Sequence, residues 1–240
     1  MKVLVIPDIH LKPWMFERAS ELLKENAAKR AVCLMDLADD WNQQLNLSLY
    51  MQTFEAAIHF SEVYPDTLWC YGNHDVCYLW NQRESGFSGF ALPSVNEGLR
   101  KLKSSLPDAK QMALIHRIDD VIFLHGGLTA EFVRLSVEEK DYHKIDMVLG
   151  VINGFGPLMM WEEDSPIWFR PQYCGRSIYE TMYKPKKLLQ VVGHTPMWKI
   201  TRADNLISCD VFSTDRDGKP FGTQEFLVID TKTWEWYGVK

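Results

Sequence analysis

Gly72-Asn73-His74-Asp75 limits what this chain can fold into more than any other stretch. The residues before it, Thr67-Leu68-Trp69-Cys70-Tyr71, are apolar and aromatic, as a strand requires. Glycine then permits a sharp turn, because it reaches positive φ without steric cost. An amide, an imidazole and a carboxylate follow in a row. Polar groups of that kind are costly inside a core and useful at the C-terminal edge of a sheet.

The preceding chain repeats the arrangement. Lys2 to Ile6 is a β-branched run that predicts a fully buried strand, and Asp8-Ile9-His10 follows it. Phe16, Ala19, Leu22, Leu23 and Ala27 recur at helical spacing between Trp14 and Ala28. Arg30 to Met35 is the next strand, leading into Asp36-Leu37-Ala38-Asp39-Asp40, and Leu47 to Val63 is the next helix. This β-α-β-α-β order predicts parallel strands with right-handed crossovers. It places Asp8, His10, Asp36, Asp39, Asn73 and His74 on one edge of one sheet.

Downstream, Asn81 to Pro93 reads as a flexible loop with exposed aromatics, and Ser94 to Ser104 as a helix. Gln111–Arg117 and Val121–Leu124 flank Asp119-Asp120, a hairpin pattern that ends in His125-Gly126-Gly127-Leu128. Ser136 and Glu139 form a capping-box pattern for a helix running to Asn153. Gly154 to Gly175 is rich in Pro, Gly and Trp and predicts an irregular excursion. A strand at Leu188–Val192 leads into Gly193-His194-Thr195-Pro196, and further strands are expected at Leu206–Cys209, Phe226–Ile229 and Thr233–Tyr237. The strand-rich second half predicts a second sheet packed on the first. The expectation is a single α/β domain over residues 1–240.

Charge and cysteine usage narrow the function. The formal charge is −6, which argues against a general nucleic-acid binder. Five scattered cysteines without a C-x-x-C pair predict no disulfide framework and a cytoplasmic protein. Cys33, Cys70 and Cys209 sit in apolar runs and read as small core residues. No signal peptide and no membrane-spanning run are evident.

Asp8, His10, Asp36, Asn73, His125 and His194 all fall at predicted strand ends. Taken singly, each has a bland reading as a hydrogen-bonded structural residue or a turn. Together they offer two carboxylates, three imidazoles and one amide oxygen, a set suited to Mn²⁺, Fe or Zn²⁺. Asp8 and His10, two apart on an extended chain, are expected to point the same way.

Asp8-Ile9-His10, Asp36-Leu37-Ala38-Asp39, Gly72-Asn73-His74-Asp75, His125 and Gly193-His194 resemble, in this order, the motifs of the calcineurin-like metallophosphoesterase superfamily. They span most of the chain. His125-Gly126-Gly127-Leu128 and Ile167-Trp168-Phe169-Arg170 are similar to stretches of its phosphoprotein phosphatase branch, which includes diadenosine tetraphosphate hydrolases. The resemblance implies a four-layer αββα sandwich of two mixed sheets. It implies that Asp8, His10 and Asp36 hold one divalent metal, Mn²⁺ first among the choices. Asp36, Asn73, His125 and His194 would hold a second, and a hydroxide shared by both would be the nucleophile. It implies that His74 is the general acid, that Asp39 orients it, and that Arg170 clamps phosphate. The expected substrate is a phosphorylated small molecule, a nucleotide such as a dinucleoside polyphosphate, or a phosphoprotein.

Three positions depart from the pattern. Met35 replaces the usual glycine before Asp36, so a different turn is expected. Leu11 replaces the branch's glycine after D-x-H. Asp40 stands where the branch has an arginine, with Arg117 and Arg176 as candidate replacements. Two other readings stay open. A phosphodiesterase or nuclease of the same superfamily commonly carries G-H-x-H, but Pro196 occupies the second histidine position. A catalytically inactive scaffold would usually lack some ligands.

Overall fold

Two mixed sheets lie face to face with helices on their outer sides. The computed structural model describes residues 1–240 apart from Cys174, Arg176, Pro185, Lys186 and the side chain of Tyr179. In chain order the strands are β1 (Lys2–Ile6), β2 (Arg30–Cys33), β3 (Leu68–Cys70), β4 (Met112–Ala113), β5 (Ile115–Ile118) and β6 (Val121–Leu124). They continue as β7 (Leu189–Val192), β8 (Thr201–Ala203), β9 (Leu206–Ser208), β10 (Phe226–Asp230) and β11 (Trp236–Val239). The first sheet has the order β11-β10-β1-β2-β3-β4 and the second β5-β6-β7-β9-β8.

Strands β1, β2 and β3 run parallel, as the alternating order predicts. The helices between them are α1 (Trp14–Glu25) and α2 (Leu47–Val63). Next come α3 (Asn73–Leu79) and α4 (Leu92–Ser105), and the second sheet is covered by α5 (Ala130–Ser136) and α6 (Ile145–Asn153). Alternation along β6 shows the layering. Val121 and Phe123 join the core shared with the first sheet, while Ile122 and Leu124 pack with Phe132, Val133 and Val148 of α5 and α6. Cys33, Cys70, Cys77 and Cys209 are free and buried; Cys174 lies outside the described residues.

Two local expectations change, and one helix appears that was not foreseen. The run expected to be one strand from Gln111 to Arg117 divides: β4 pairs with β3 in the first sheet and β5 with β6 in the second. Asn153 makes the crossing possible. Its Oδ1 accepts from the N–H groups of Leu114 (3.1 Å) and Ile115 (2.9 Å), and its Nδ2 donates to Ile115 O. The capping box at Ser136 does not form. A separate helix, α5, starts at Thr129, which accepts from Phe132 N at 2.9 Å, and ends at Ser136, which donates back to Phe132 O; the helix expected from Ser136 to Asn153 begins only at Ile145, as α6. Finally, Asn73 opens a helix, because Asp75 Oδ2 accepts the Gly72 N–H at 3.0 Å.

The parallel strands of each sheet point their C-terminal ends to the same side. Asp8, Asp36 and Asn73 follow β1, β2 and β3; His125, His194 and Asp210 follow β6, β7 and β9.

Candidate active site

The turns after β1 and β2 interlock beyond the strands. Ile9 N donates to Met35 O (3.0 Å), His10 N to Asp36 O (2.7 Å) and Leu11 N to Leu37 O (3.2 Å). His10, Leu11, Met35, Asp36 and Asp39 all have positive φ, between 42° and 64°. Met35 and Leu11 therefore stand in the left-handed geometry that a glycine takes freely. Each such residue costs about 1–2 kcal/mol, which burial and the interlocking bonds must offset. Asp8 and His10 do converge, but through the left-handed turn at His10.

Asp75 holds this edge together. Its carboxylate accepts the N–H groups of Gly72 (3.0 Å), Asp36 (2.9 Å) and Leu37 (3.0 Å). Burial and the neighbouring Asp36 charge push its pKa up to about 7 against the pull of those N–H groups. Two glycines admit the carboxylates of the site. A Cβ on Gly72 would lie 2.0 Å from Asp36 Oδ1, and one on Gly193 would lie 1.9 Å from Asp8 Oδ1.

The predicted ligands form two donor clusters that share Asp36. Donor atoms of Asp8, His10 and Asp36 lie within 4.8 Å of one another, as do those of Asp36, His125 and His194. Asn73 Oδ1 stands 2.9 Å from His125 Nε2, which is itself 3.1 Å from Asp36 Oδ2. Each imidazole spends one ring nitrogen on a backbone carbonyl. His10 Nδ1 pairs with Asp39 O (2.9 Å), His125 Nδ1 with Leu34 O (3.1 Å) and His194 Nε2 with Trp168 O (2.9 Å). The other nitrogen of each ring is then the unprotonated one in the neutral form, the arrangement a metal-binding histidine uses. Asp8 Oδ1 is buried without a hydrogen-bond partner. These oxygen and nitrogen donors fit a pair of divalent cations.

The electrostatics agree. Burial pushes the Asp36 carboxyl up, but the His125 and His74 imidazoles outweigh it and hold the pKa well below the usual carboxylate range. Burial lowers His10 and His194. Burial and the Asp210 charge raise Asp8 well above its ordinary value. A cluster of carboxylates under that repulsion is stabilised by positive charge.

His74 sits over Asp36, donating its backbone N–H to Oδ1 at 2.9 Å. Its Nδ1 lies 3.0 Å from Asp39 Oδ2. Burial alone would lower the His74 pKa, but Asp36 and the bond to Asp39 raise it to about 9. Arg170 reaches the same cleft, where its Nη1 donates to His194 O at 2.5 Å. The cleft encloses about 240 Å³, with His10, His74, Arg170, Trp41, Gly86 and Asp210 on its walls.

Asp40 is neutralised locally. Lys12 Nζ donates to Asp40 Oδ2 at 3.1 Å, and the hydroxyl of Thr214 also donates to it. Arg117 is engaged elsewhere, with Asp146 at 2.8 Å and Asp120, and does not line the cleft. Of the two candidate replacements for the missing arginine, Arg117 is thus an ordinary ion-paired charge away from the cleft. Arg176 lies outside the described residues. Motif reading passed over two groups here: the ammonium of Lys12 and the carboxylate of Asp210, which is 1% exposed and accepts from Ser213 Oγ at 2.9 Å. Its place directly after a strand was the available signal. Phe90 is exposed as expected in the 81–93 loop, but Phe87 stacks on Tyr78 with ring centroids 4.5 Å apart.

The sequence model of the calcineurin-like phosphoesterases matches residues 1–222. No curated protein matches the chain. Among solved structures, a cold-active protein-tyrosine phosphatase of a psychrophilic Shewanella species is similar in fold, with 14% identity and a TM-score of 0.55. The match covers 100% of this chain and 80% of that one. A metallophosphoesterase from Sphaerobacter thermophilus has 16% identity and a TM-score of 0.43, over 100% and 89% of the two chains. An archaeal phosphodiesterase has 13% identity and a TM-score of 0.39, over 100% and 99%.

Proposed function

The chain belongs to the calcineurin-like phosphoesterase family and is a metal-dependent phosphoric ester hydrolase, and from that premise we propose that it is a dinuclear phosphatase of monoesters or phosphoanhydrides. The observation that carries the reading is the sharing of Asp36 between two donor clusters. Asp8, His10 and Asp36 would hold one cation, and Asp36, Asn73, His125 and His194 the other. Bound there, two divalent ions supply Lewis-acid charge and an activated water. The donor set favours Mn²⁺, with Fe or Zn²⁺ as the alternatives.

The chain's own groups do the rest. Asp39 keeps the His74 Nδ1 protonated, so Nε2 is the atom that delivers a proton to the leaving oxygen. Arg170 has five N–H donors and spends Nη1 on His194 O and, at 3.5 Å, on Thr195 Oγ1, which leaves Nε and Nη2 to take phosphate oxygens. A monoester dianion gains more from that charge than a diester monoanion does.

The fold reading extends to residues 1–240 as one catalytic domain, since β10 and β11 return beside β1. Buried free cysteines support a reducing, cytoplasmic setting. Among the described residues, no helix is long and apolar enough to cross a membrane. Candidate substrates are phosphorylated small molecules, nucleotides or phosphoproteins; nucleic acid is disfavoured by the net charge of −6. The test is metal content by mass spectrometry together with kcat/KM for p-nitrophenyl phosphate and its bis-ester. Two ions per chain and faster monoester turnover are expected. Faster diester turnover would make the protein a phosphodiesterase, and no metal-dependent turnover on either would leave a scaffold.

A further inference from the structure

Asp39 has a second oxygen that the reaction scheme leaves unused. Oδ2 faces His74 Nδ1 at 3.0 Å, while Oδ1 accepts two hydroxyls, Tyr50 OH and Tyr78 OH, each at 2.6 Å. Tyr50 comes from α2 and Tyr78 from α3, and both are fully buried, at 0% and 1% exposure. The direction of the bonds is fixed. A carboxylate only accepts, so both hydroxyls donate to it. The Tyr78 oxygen in turn accepts the backbone N–H of Ser88 at 2.8 Å.

The chain of bonds therefore runs from the loop above the cleft to the imidazole. Ser88 also donates its Oγ to Gln44 O at 2.5 Å, and Phe87 stacks on the Tyr78 ring. Gly86, at φ +87°, lays its backbone against the pair. A Cβ there would stand 3.4 Å from His74 Cε1 and 3.5 Å from Asp39 Cβ.

We propose that Tyr50 and Tyr78 are positioning residues for the hydrolysis: their two hydroxyls hold the Asp39 carboxylate in the one orientation that aligns His74 for proton delivery, and Tyr78 couples that alignment to the 84–90 loop. The inference rests on the assignment of His74 as the acid.

The physical reason lies in the carboxylate. Its terminal torsion is broad and roughly two-fold, so an unrestrained Asp39 would exchange its oxygens and swing the imidazole with it. Two short bonds to one oxygen stop that motion. They also leave Oδ2 with a single partner, so its hydrogen bond to His74 is undivided. Hydrogen bonds in such a chain strengthen one another in a site of low polarity. A tyrosine placed only to fill the core would need one partner for its hydroxyl and would not need to share an acceptor with a second tyrosine.

Tyr78→Phe and Tyr50→Phe keep the rings, and with them the stack on Phe87, and remove only the hydroxyls. Each leaves the other tyrosine on Asp39 Oδ1, so each single variant retains a partner for that oxygen. The readouts are kcat and KM on an alkyl phosphate such as glycerol 2-phosphate, kcat on p-nitrophenyl phosphate, and metal content. Each variant should lose roughly tenfold in kcat on the alkyl ester, the scale of one charge-assisted hydrogen bond. The loss should be about threefold or less on p-nitrophenyl phosphate, whose leaving group needs less protonation. KM and metal content should not change. In the His74→Asn background the tyrosine substitutions should have no further effect on kcat, because the group they position is gone.

Equal losses on both substrates, or the same loss with His74 replaced, would overturn the proposal and leave the tyrosines as packing. A different result would count against the acid assignment instead: His74→Asn itself showing no larger loss on the alkyl than on the aryl ester. Should a single variant fold poorly, the other one, and the urea midpoint measured beside its kcat, still decides the question.

Discussion

The two sheets bring their strand ends to one cleft but hold them by different means. On the first sheet the support is local. The turns after β1 and β2 bond to each other, and Asp75, two residues beyond Asn73, gathers three N–H groups from Gly72, Asp36 and Leu37. On the second sheet the support is borrowed. His194 leans on Trp168 O, and Gly126 and Gly127 donate to Pro166 O (2.8 Å) and Phe169 O (3.1 Å), all in the irregular excursion. His125 leans on Leu34 O of the first sheet. The first edge is thus organised within a contiguous β-α-β unit. The second is complete only after distant segments have docked.

Substitution should expose that difference, most strongly at the shared residue. Asp36→Asn should release both metal ions together and lower kcat/KM by more than the roughly 10⁴-fold ceiling of one general acid. Retention of one full equivalent of metal would mean that the two clusters do not share a ligand. His74→Asn, on the same edge, should keep both ions and lose roughly 10²–10⁴ in kcat. Steady-state rates on alkyl and aryl phosphates would check it, with the smaller loss expected on the aryl ester.

Asp75→Asn tests the local support. Its amide offers one acceptor oxygen where three buried N–H groups now converge. The expected cost is roughly 3–4 kcal/mol, or a fall in Tm of about 10 °C for a chain of this size. Calorimetry of the metal-free protein would measure it, and a change of only a degree or two would show that the first edge does not depend on Asp75.

On the second edge, Arg170→Ala should raise KM for monoesters about tenfold, the scale of one charge-assisted bond, and narrow the preference over diesters. An unchanged KM would assign Arg170 to support of the His194 carbonyl alone.

The smallest effect concerns the junction of the sheets. His116 on β5 bonds through Nε2 to Trp69 O of β3 at 3.1 Å, and burial lowers its pKa to about 4. Its unfolded value is near 6.5, so the neutral form is favoured in the folded state. The contribution is whole above pH ~6.5 and is lost as pH falls toward ~4, by roughly 1–2 kcal/mol at pH 5 after allowance for partial exposure. Urea midpoints at pH 7 and pH 5, in wild type and His116→Phe, would isolate it: the variant should lose less on acidification.

Residues 1–75 were the most legible part. The boundaries of α2 and the parallel order of β1, β2 and β3 follow from hydrophobic period, and that period is a local property. The expected ligands also come together, because short polar runs directly after strands have little choice of position. Legibility fell where one segment's conformation depends on another. Nothing between Gln111 and Arg117 announces a change of sheet; Asn153, far along the chain, supplies the bonds that allow it. Ser136-x-x-Glu139 is a sound cap pattern that does not form, because Ser136 closes α5 by donating to Phe132 O, and the next helix, α6, starts only at Ile145.

What the amino-acid order alone determined is the alternation of strands and helices, and the chemical types available at each strand end. Both depend on neighbours a few residues apart. Only the tertiary structure decided that Met35 and Leu11 take left-handed turns without glycine and that Lys12 answers Asp40. It also decided that Asp210 joins the cleft and that two tyrosines share one oxygen of Asp39. Those outcomes are set by hydrogen-bond partners from other elements, and a partner tens of residues away leaves no period in the sequence to read.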